Sequence, residues 1–163
     1  MILRQLHQLK PGIRSKRISS FDRSGGNHDC ILIKSGERKD IAVIEGAGCI
    51  RHIWVTMACE DPMIRRNAVL RAWWDDEPHP SIEAPIGDFF GQGWGMEYPL
   101  ISLPLSATPN RSKALVSYFS MPFGKAARLQ IDNQSEQDIT SFYYYVDYEV
   151  WDRPDEQAGR FHA

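Results

Sequence analysis

The chain has 163 residues, and its 19 basic and 21 acidic side chains give a formal net charge of −2. A domain of this length buries about 70% of its unfolded surface, so it needs neither disulfides nor a metal ion to hold a core. Because there is no excess of positive charge, the composition argues against a nucleic-acid partner.

The cysteines and the apolar segments indicate the cellular setting. Cys30, Cys49 and Cys59 are an odd set without C-x-x-C spacing, so we expect reduced thiols that behave as small hydrophobic side chains. No apolar run reaches the length of a transmembrane helix, and the N-terminal residues lack the apolar segment of a signal peptide. The sequence therefore predicts a soluble, cytoplasmic protein that contacts no membrane.

Residues 1–28 are predicted to be an arm that leads into the main domain. Apolar residues recur with helical spacing in the first ten positions, which predicts a short helix that ends at Pro11 and Gly12. The polar, glycine-bent segment that follows contains Asp22 and Asp29. Their carboxylates are suited to accept hydrogen bonds from nearby backbone N–H groups.

Short runs of alternating apolar and polar residues occupy most of the remaining chain, separated by turn residues. They cover residues 29–34, 40–45, 49–57, 68–74, 81–84, 100–105, 115–121, 126–132 and 139–150. Eight or nine short strands with almost no helix are typical of an all-β antiparallel sandwich, and a single jelly roll over residues 29–151 fits this number. The polar tail, residues 152–163, is expected to be loosely held.

The longest run predicts which side chains fill the core. Successive residues of a strand point to opposite faces, so Phe142, Tyr144 and Val146 share one face, while Tyr143 and Tyr145 share the other. We expect the first three to point inward.

Residues 73–95 combine carboxylates, aromatic rings and glycines within a short stretch. A sugar site needs ring faces to stack on, groups that bind hydroxyls, and a backbone that allows close approach. The candidate binding residues are Trp73, Trp74, Phe89, Phe90 and Trp94. In the alternative interpretation, which composition alone favours, the glycines and prolines bend the sheet at a corner and the aromatics fill the space behind it.

The same stretch holds the carboxylates most suited to hydrolysis. A retaining glycosidase places two carboxyl groups about 5 Å apart, and an inverting one spaces them further. We interpret Asp75 and Asp76 as turn-capping residues that accept backbone hydrogen bonds. Glu83 and Asp88 are the candidate catalytic residues, although each is equally well explained as structural.

Other catalytic chemistries find little support. The five histidines lack a matching serine elbow or reactive cysteine, and His52, on a strand, is interpreted as a structural residue rather than a base. No spacing of histidines and carboxylates predicts a metal site, and no loop is suited to cradle a phosphate. We therefore expect no cofactor.

Longer motifs follow one another along nearly the whole chain. They are S-F-D-R-S-G-G-N-H-D (20–29), G-C-I-R-H-I-W-V-T (48–56), P-S-I-E-A-P-I-G-D-F-F-G (80–91), S-L-P-L (102–105), Y-F-S-M-P-F-G-K-A-A-R-L (118–129), D-N-Q-S (132–135), F-Y-Y-Y-V-D-Y-E (142–149) and G-R-F-H-A (159–163). In this order they resemble the family long called domain of unknown function 2961, which now includes glycoside hydrolase family 172.

The resemblance implies a jelly roll and a relationship to retaining enzymes that act on fructofuranosides and arabinofuranosides. Members of that family carry two jelly rolls in tandem and assemble as trimers or multiples of trimers, and this chain resembles only the first roll. The family's catalytic glutamates lie in the second roll, and no G-E-G-D-E-like or G-T-E-D-like segment occurs here. No catalytic residue is therefore carried over.

Two interpretations follow from the resemblance. In the first, the chain is a self-assembling single jelly roll, a trimer or hexamer, that binds a furanose-containing sugar without assured catalysis, with the five corner aromatics at or near the contact between copies. In the second, it is a retaining glycoside hydrolase that uses its own carboxylates or a partner chain carrying the second jelly roll.

Overall fold

The computed structural model describes residues 9–108 and 113–163. The helix predicted for the first ten positions lies almost wholly outside the described residues. Within them the chain forms twelve β-strands and two one-turn α-helices. The strands are β1 (Ile13–Ser19), β2 (Ile31–Ile33), β3 (Arg38–Glu45), β4 (Gly48–Ala58), β5 (Ala68–Trp74), β6 (Ile82–Pro85), β7 (Leu100–Ile101), β8 (Leu105–Ala107), β9 (Leu115–Ser117), β10 (Met121–Phe123), β11 (Ala126–Asn133) and β12 (Ile139–Trp151). The helices are α1 (Ile64–Asn67) and α2 (Ile86–Phe89).

The number of strands exceeds the prediction for three local reasons. β1 lies in the predicted arm, where its alternating charged residues hide the pattern, and it pairs with β12 along its whole length. The run at 100–105 divides into β7 and β8, which pair with each other across a turn at Pro104. The run at 115–121 ends early, so that β9 and β10 are separate strands that both pair with β4.

The strands form two antiparallel sheets, which confirms the predicted all-β sandwich. The larger sheet has the order β1-β12-β4-β9-β8-β7, with β2 also on β12 and β10 also on β4. The smaller sheet has the order β3-β11-β5-β6. Each strand contributes one row of side chains to the space between the sheets, so the core is built from alternate residues of nearly every strand.

The core confirms the predicted inward face of β12. Phe142 and Val146 are fully buried and Tyr144 nearly so, whereas Tyr143 and Tyr145 reach solvent. Because each strand alternates in the same way, the central strands of both sheets meet across a continuous apolar layer. Its members on β4, β5 and β11 include Ile53, Val55, Leu70, Ala72, Trp74, Leu129 and Ile131.

A β-bulge interrupts the alternation of β4. Asp147 of β12 pairs with His52, but the next residue, Tyr148, pairs with Ile50, so Arg51 is the extra residue. A bulge of this kind re-aims side chains without ending the strand. As a result Arg51 and His52 both lie on the outer face of the larger sheet, where they contact carboxylates of β12.

The C-terminal residues are not loosely held, contrary to the expectation for the tail. The Glu83 backbone N–H donates to the Ala163 carbonyl (2.9 Å), and the Ala163 N–H donates to the Ser81 carbonyl (3.1 Å), so the chain end continues the smaller sheet beside β6. The buried Trp74 indole N–H donates to the Phe161 carbonyl at 2.7 Å. The Phe161 ring also packs against Phe89 and Phe119, with centroids 6.4 and 5.0 Å away, so an aromatic side chain near the chain end anchors a segment whose composition is polar.

The inward face of β12 can be tested by removing one side chain. We expect Val146→Ala to lower the free energy of unfolding by about 1–3 kcal/mol, because it removes buried methyl groups and leaves a cavity. Val43→Ala is the matched control, since Val43 on β3 is 61% exposed and should change stability by less than about 0.5 kcal/mol. Urea titrations of both variants measure the difference, and equal losses would contradict the assigned faces.

Candidate functional site

Asp75 begins the corner that follows β5, and its carboxylate fastens that corner to the loop before β11. Asp75 Oδ1 accepts hydrogen bonds from the backbone N–H groups of Gly124 (2.7 Å) and Lys125 (2.6 Å), while Oδ2 accepts from Arg160 Nε at 2.6 Å. Partial burial raises the pKa of Asp75, but these hydrogen bonds outweigh burial and hold the pKa below its ordinary value. Asp75 is therefore a structural clamp.

Glu83, one of the two candidate catalytic residues, lies on the outer surface of the smaller sheet. It is the cross-strand neighbour of Arg71, whose Nε donates to Glu83 Oε1 at 2.8 Å. The same guanidinium also pairs with Asp132 on β11. Glu83 thus belongs to an ion-pair network that crosses three strands.

Asp88, the other candidate, lies in α2, and its carboxylate pairs with Arg66 of α1. Both side chains remain partly exposed, at 46% for Arg66 and 30% for Asp88. Glu83 and Asp88 are therefore held by different arginines on different elements. The structure does not join them as a carboxylate pair.

Trp94 is the central residue of a short 3₁₀ turn, Gly93–Gly95, and its own backbone departs from helical geometry. Its backbone has φ 59° and ψ 23°, a left-handed conformation that costs a non-glycine residue on the order of 1–2 kcal/mol. The side chain is 82% exposed. A Cβ placed on Gly93 would lie 3.7 Å from Asp88 Oδ1, and one on Gly95 would lie 3.2 Å from Arg66 Cγ. The backbone on both sides of Trp94 therefore lies close to Asp88 and Arg66.

Hydrogen bonds hold this loop in place from within. The Tyr98 hydroxyl donates to the Gly91 carbonyl (2.8 Å) and accepts from the Gly93 N–H (2.9 Å). Gln92, which is buried, donates from Nε2 to the Tyr98 carbonyl at 2.8 Å. These contacts fix the backbone on both sides of Trp94.

The other candidate binding residues are placed differently. Trp74 and Phe90 are fully buried and Phe89 nearly so, so these three rings fill the corner and present no face to a ligand. Trp73 is half-buried, and the Arg128 guanidinium lies 3.8 Å from its ring centroid. The interpretation in which the aromatics fill the space behind a bent sheet is therefore correct for Trp74, Phe89 and Phe90. Trp94 differs from these three because its ring is exposed.

Sequence reasoning missed the outer face of the larger sheet. Register places Tyr145, Trp54, Val116, Ser106 and Ile101 opposite one another on β12, β4, β9, β8 and β7, and we call this set the outer row. The sequence did contain a sign of this face, because the residues of the outer row alternate with core residues along their strands. What the sequence did not contain was the order in which the strands pair.

Ion pairs border the outer row on one side. Asp147 accepts from Arg17 Nε at 2.6 Å and lies 2.7 Å from His52 Nδ1. Arg51 donates to Glu149 at 2.8 Å. Both of these carboxylates therefore have a cationic or imidazole partner within the chain.

The sequence of the chain matches a known family over most of its length. The family model described as GH172 domain-like matches residues 26–145. The chain belongs to this family. No curated protein matches the sequence.

Solved structures add little to the family assignment. The serine protease of Aeromonas sobria matches with a TM-score of 0.34 and 8% identity, over 89% of this chain and 28% of that one. The same protease in complex with the chaperone ORF2 matches with a TM-score of 0.34 and 9% identity, over 94% of this chain and 29% of that one. The GH172-like chain thus spans less than a third of either structure.

The shifted pKa values of the carboxyl groups in this GH172-like chain all move in one direction. Among the described residues, every carboxyl group with a shifted pKa has that pKa lowered. They are Asp22, Glu37, Asp61, Asp75, Asp132, Asp147 and Glu149. For Asp147 and Glu149, burial raises the pKa, but the neighbouring Arg17 and Arg51 outweigh it. A glycosidase general acid needs the opposite shift.

Over 9–108 and 113–163, no three histidine, cysteine, aspartate or glutamate side chains gather as a metal site would require. In the same part of the chain, no helix has both the length and the apolar character needed to cross a membrane.

The Asp75 clamp predicts a defined pH dependence of stability. Because the folded-state pKa of Asp75 lies below 3.8, its contribution is complete above that pH and is lost as the pH falls through the folded-state pKa. We expect Asp75→Asn to lower the free energy of unfolding by about 1–3 kcal/mol at pH 7. The difference in stability between wild type and this variant should become smaller below about pH 4. Thermal melts from pH 7 to pH 2.5 measure it.

Asp76→Asn provides the control for this experiment, because Asp76 is the exposed neighbour and asparagine tolerates the same positive φ. It should leave stability nearly unchanged at every pH. A difference between wild type and Asp75→Asn that stays constant with pH would contradict the role of the charged clamp.

Proposed function

We propose that this chain is a self-associating β-sandwich of the GH172-like family that takes part in carbohydrate recognition without hydrolysing glycosides by itself. The observation that carries the proposal is the pairing of its two candidate catalytic residues: Glu83 is held by Arg71 and Asp88 by Arg66. Retaining hydrolysis needs two carboxyl groups acting on one glycosidic bond, one ionised and one protonated.

The carboxylates of the larger sheet do not replace them. Asp147 and Glu149 are two residues apart on one face of β12, but the pKa of each is lowered by its cationic neighbours. Two carboxylates that both stay ionised offer a nucleophile without a proton donor. Family membership therefore supports a carbohydrate-related role, while the ion pairs argue against hydrolysis by this chain alone.

The outer row supports self-association. Ile101 is 82% exposed, and Leu103, beside it in the turn before β8, is 94% exposed. From β12 to β7 the row crosses four strand spacings, or about 19 Å. Four of the five side chains in the row are apolar or aromatic, and apolar side chains grouped on a surface in this way mark sites of contact with another protein.

Charge favours a second copy of the chain as the partner at this surface. The neighbouring Arg17–Asp147 and Arg51–Glu149 pairs are neutralised within the chain, so two copies meet there without unpaired like charges. Closed cyclic symmetry would cover the row in every copy equally. A trimer or hexamer is the proposed assembly.

The catalytic part of the proposal is tested with aryl furanosides. We expect the purified chain to release the phenol from aryl arabinofuranosides or aryl fructofuranosides no faster than a heat-denatured sample does. The reason is that its described carboxylates do not form a pair of acid and nucleophile. Turnover that disappears in Asp88→Asn or Glu83→Gln, with folding intact by circular dichroism, would contradict this and favour a retaining glycoside hydrolase. Turnover only after adding a chain with a second jelly roll would indicate a shared site.

The assembly is tested by light scattering after size exclusion at micromolar concentration. We expect a mass several times the 18.7 kDa of one chain, and Ile101→Glu should shift it toward one chain because it places a charge in the outer row. Val43→Glu is the matched control, since Val43 is an exposed apolar residue on the smaller sheet. A wild-type mass near a single chain overturns self-association.

A further inference from the structure

We infer that Trp94, together with the Arg66–Asp88 pair beside it, forms a binding site for a neutral sugar ring that carries adjacent hydroxyl groups. The inference rests on the carbohydrate role proposed above and assigns that role to one place in the fold. It uses no hydrolytic step.

The backbone conformation of Trp94 supports a functional role. A left-handed backbone is natural for Gly91 and Gly95, which have φ of 83° and 71° in the same loop, but not for the tryptophan between them. With 82% of its surface exposed, the Trp94 side chain gains little from packing within this chain. Backbone strain of this kind occurs often at functional positions.

The second argument is rigidity. Tyr98 binds the backbone on one side of Trp94, and Gly95 lies against Met63 and Arg66 on the other. Gly87 in α2 allows a further close approach, since a Cβ there would lie 2.7 Å from the Gln92 carbonyl oxygen. The backbone that carries the indole is therefore fixed close to the ion pair, which reduces the entropy lost when a ligand binds.

The third argument is the chemistry of the three side chains. An indole face packs against the C–H groups of a sugar ring, a carboxylate accepts hydrogen bonds from hydroxyls, and a guanidinium donates to their oxygens. Arg66 and Asp88 both keep exposed surface while paired. Because their charges cancel, the pair suits a neutral polyol better than an anion or a cation.

Three other aromatic rings that reach solvent are less suited to stacking. Trp54 and Tyr145 stack on each other with centroids 5.0 Å apart, and Arg17 lies 4.5 Å from the Tyr145 ring. Trp73 has Arg128 over its ring. Trp94 is also far more exposed than these rings.

The test uses intrinsic tryptophan fluorescence and calorimetry. A fructo-oligosaccharide and an arabinofurano-oligosaccharide supply furanose rings, and a xylo-oligosaccharide supplies pyranose rings with adjacent hydroxyls. We expect wild type to bind at least one of them, and Trp94→Gly to weaken that binding by tenfold or more. Asp88→Asn should also weaken it, because one hydroxyl acceptor loses its charge.

Stability separates a binding role from a structural one. Trp94→Gly relieves the left-handed strain, so its Tm should equal or exceed that of wild type. Phe21→Gly is the control, since Phe21 is an exposed aromatic with an arginine near its ring in another part of the fold. It should leave sugar affinity unchanged.

The outcomes distinguish this site from the broader proposal. If wild type binds none of the three oligosaccharides at millimolar concentration, the carbohydrate role itself fails. If Trp94→Gly binds as tightly as wild type, the site fails while the role stands. If Trp94→Gly loses several degrees of Tm, or dissociates the assembly without losing sugar affinity, Trp94 serves stability or self-contact and the inference is overturned.

Discussion

The pairing of β12 with β4 is the interaction on which most of this structure depends. β12 is the longest strand, and it also carries β1 and β2, so it joins the N-terminal segment to the centre of the larger sheet. Its alternation places Phe142, Tyr144 and Val146 in the core and turns Tyr145 and Asp147 outward. The two faces of β12 thus contribute side chains both to the core and to the outer surface of the larger sheet.

The bulge in β4 shows how one extra residue changes the chemistry of a surface. Regular pairing would send either Arg51 or His52 into the core, where an unpaired polar group is costly. The bulge lets both face outward, and each then meets a carboxylate of β12. The outer face is therefore a set of internally satisfied charges next to an apolar row, a combination suited to contact with another protein surface.

The corner after β5 combines structural and displayed residues in one short segment. Hydrogen bonds to Asp75 and to the C-terminal residues hold the corner in place, and Trp74 and Phe90 fill its interior. Because the corner is firmly fixed, the loop that follows it can hold Trp94 in a strained and exposed conformation. Within about twenty residues the corner thus contains both buried aromatics and one highly exposed aromatic, Trp94.

The sequence by itself determined the all-β class, the antiparallel sandwich and the inward face of β12, because period-two alternation is local and survives any strand order. It also identified the family from ordered motifs and predicted that Asp75 accepts backbone hydrogen bonds, although the donors, Gly124 and Lys125, lie in a loop that only folding brings near. Tertiary structure alone decided that Glu83 and Asp88 belong to separate ion pairs, since their partners Arg71 and Arg66 come from elements that only folding brings near. It also decided the outer row and the docking of Phe161, because both depend on non-local pairing, and strand order is not written in any single stretch of residues.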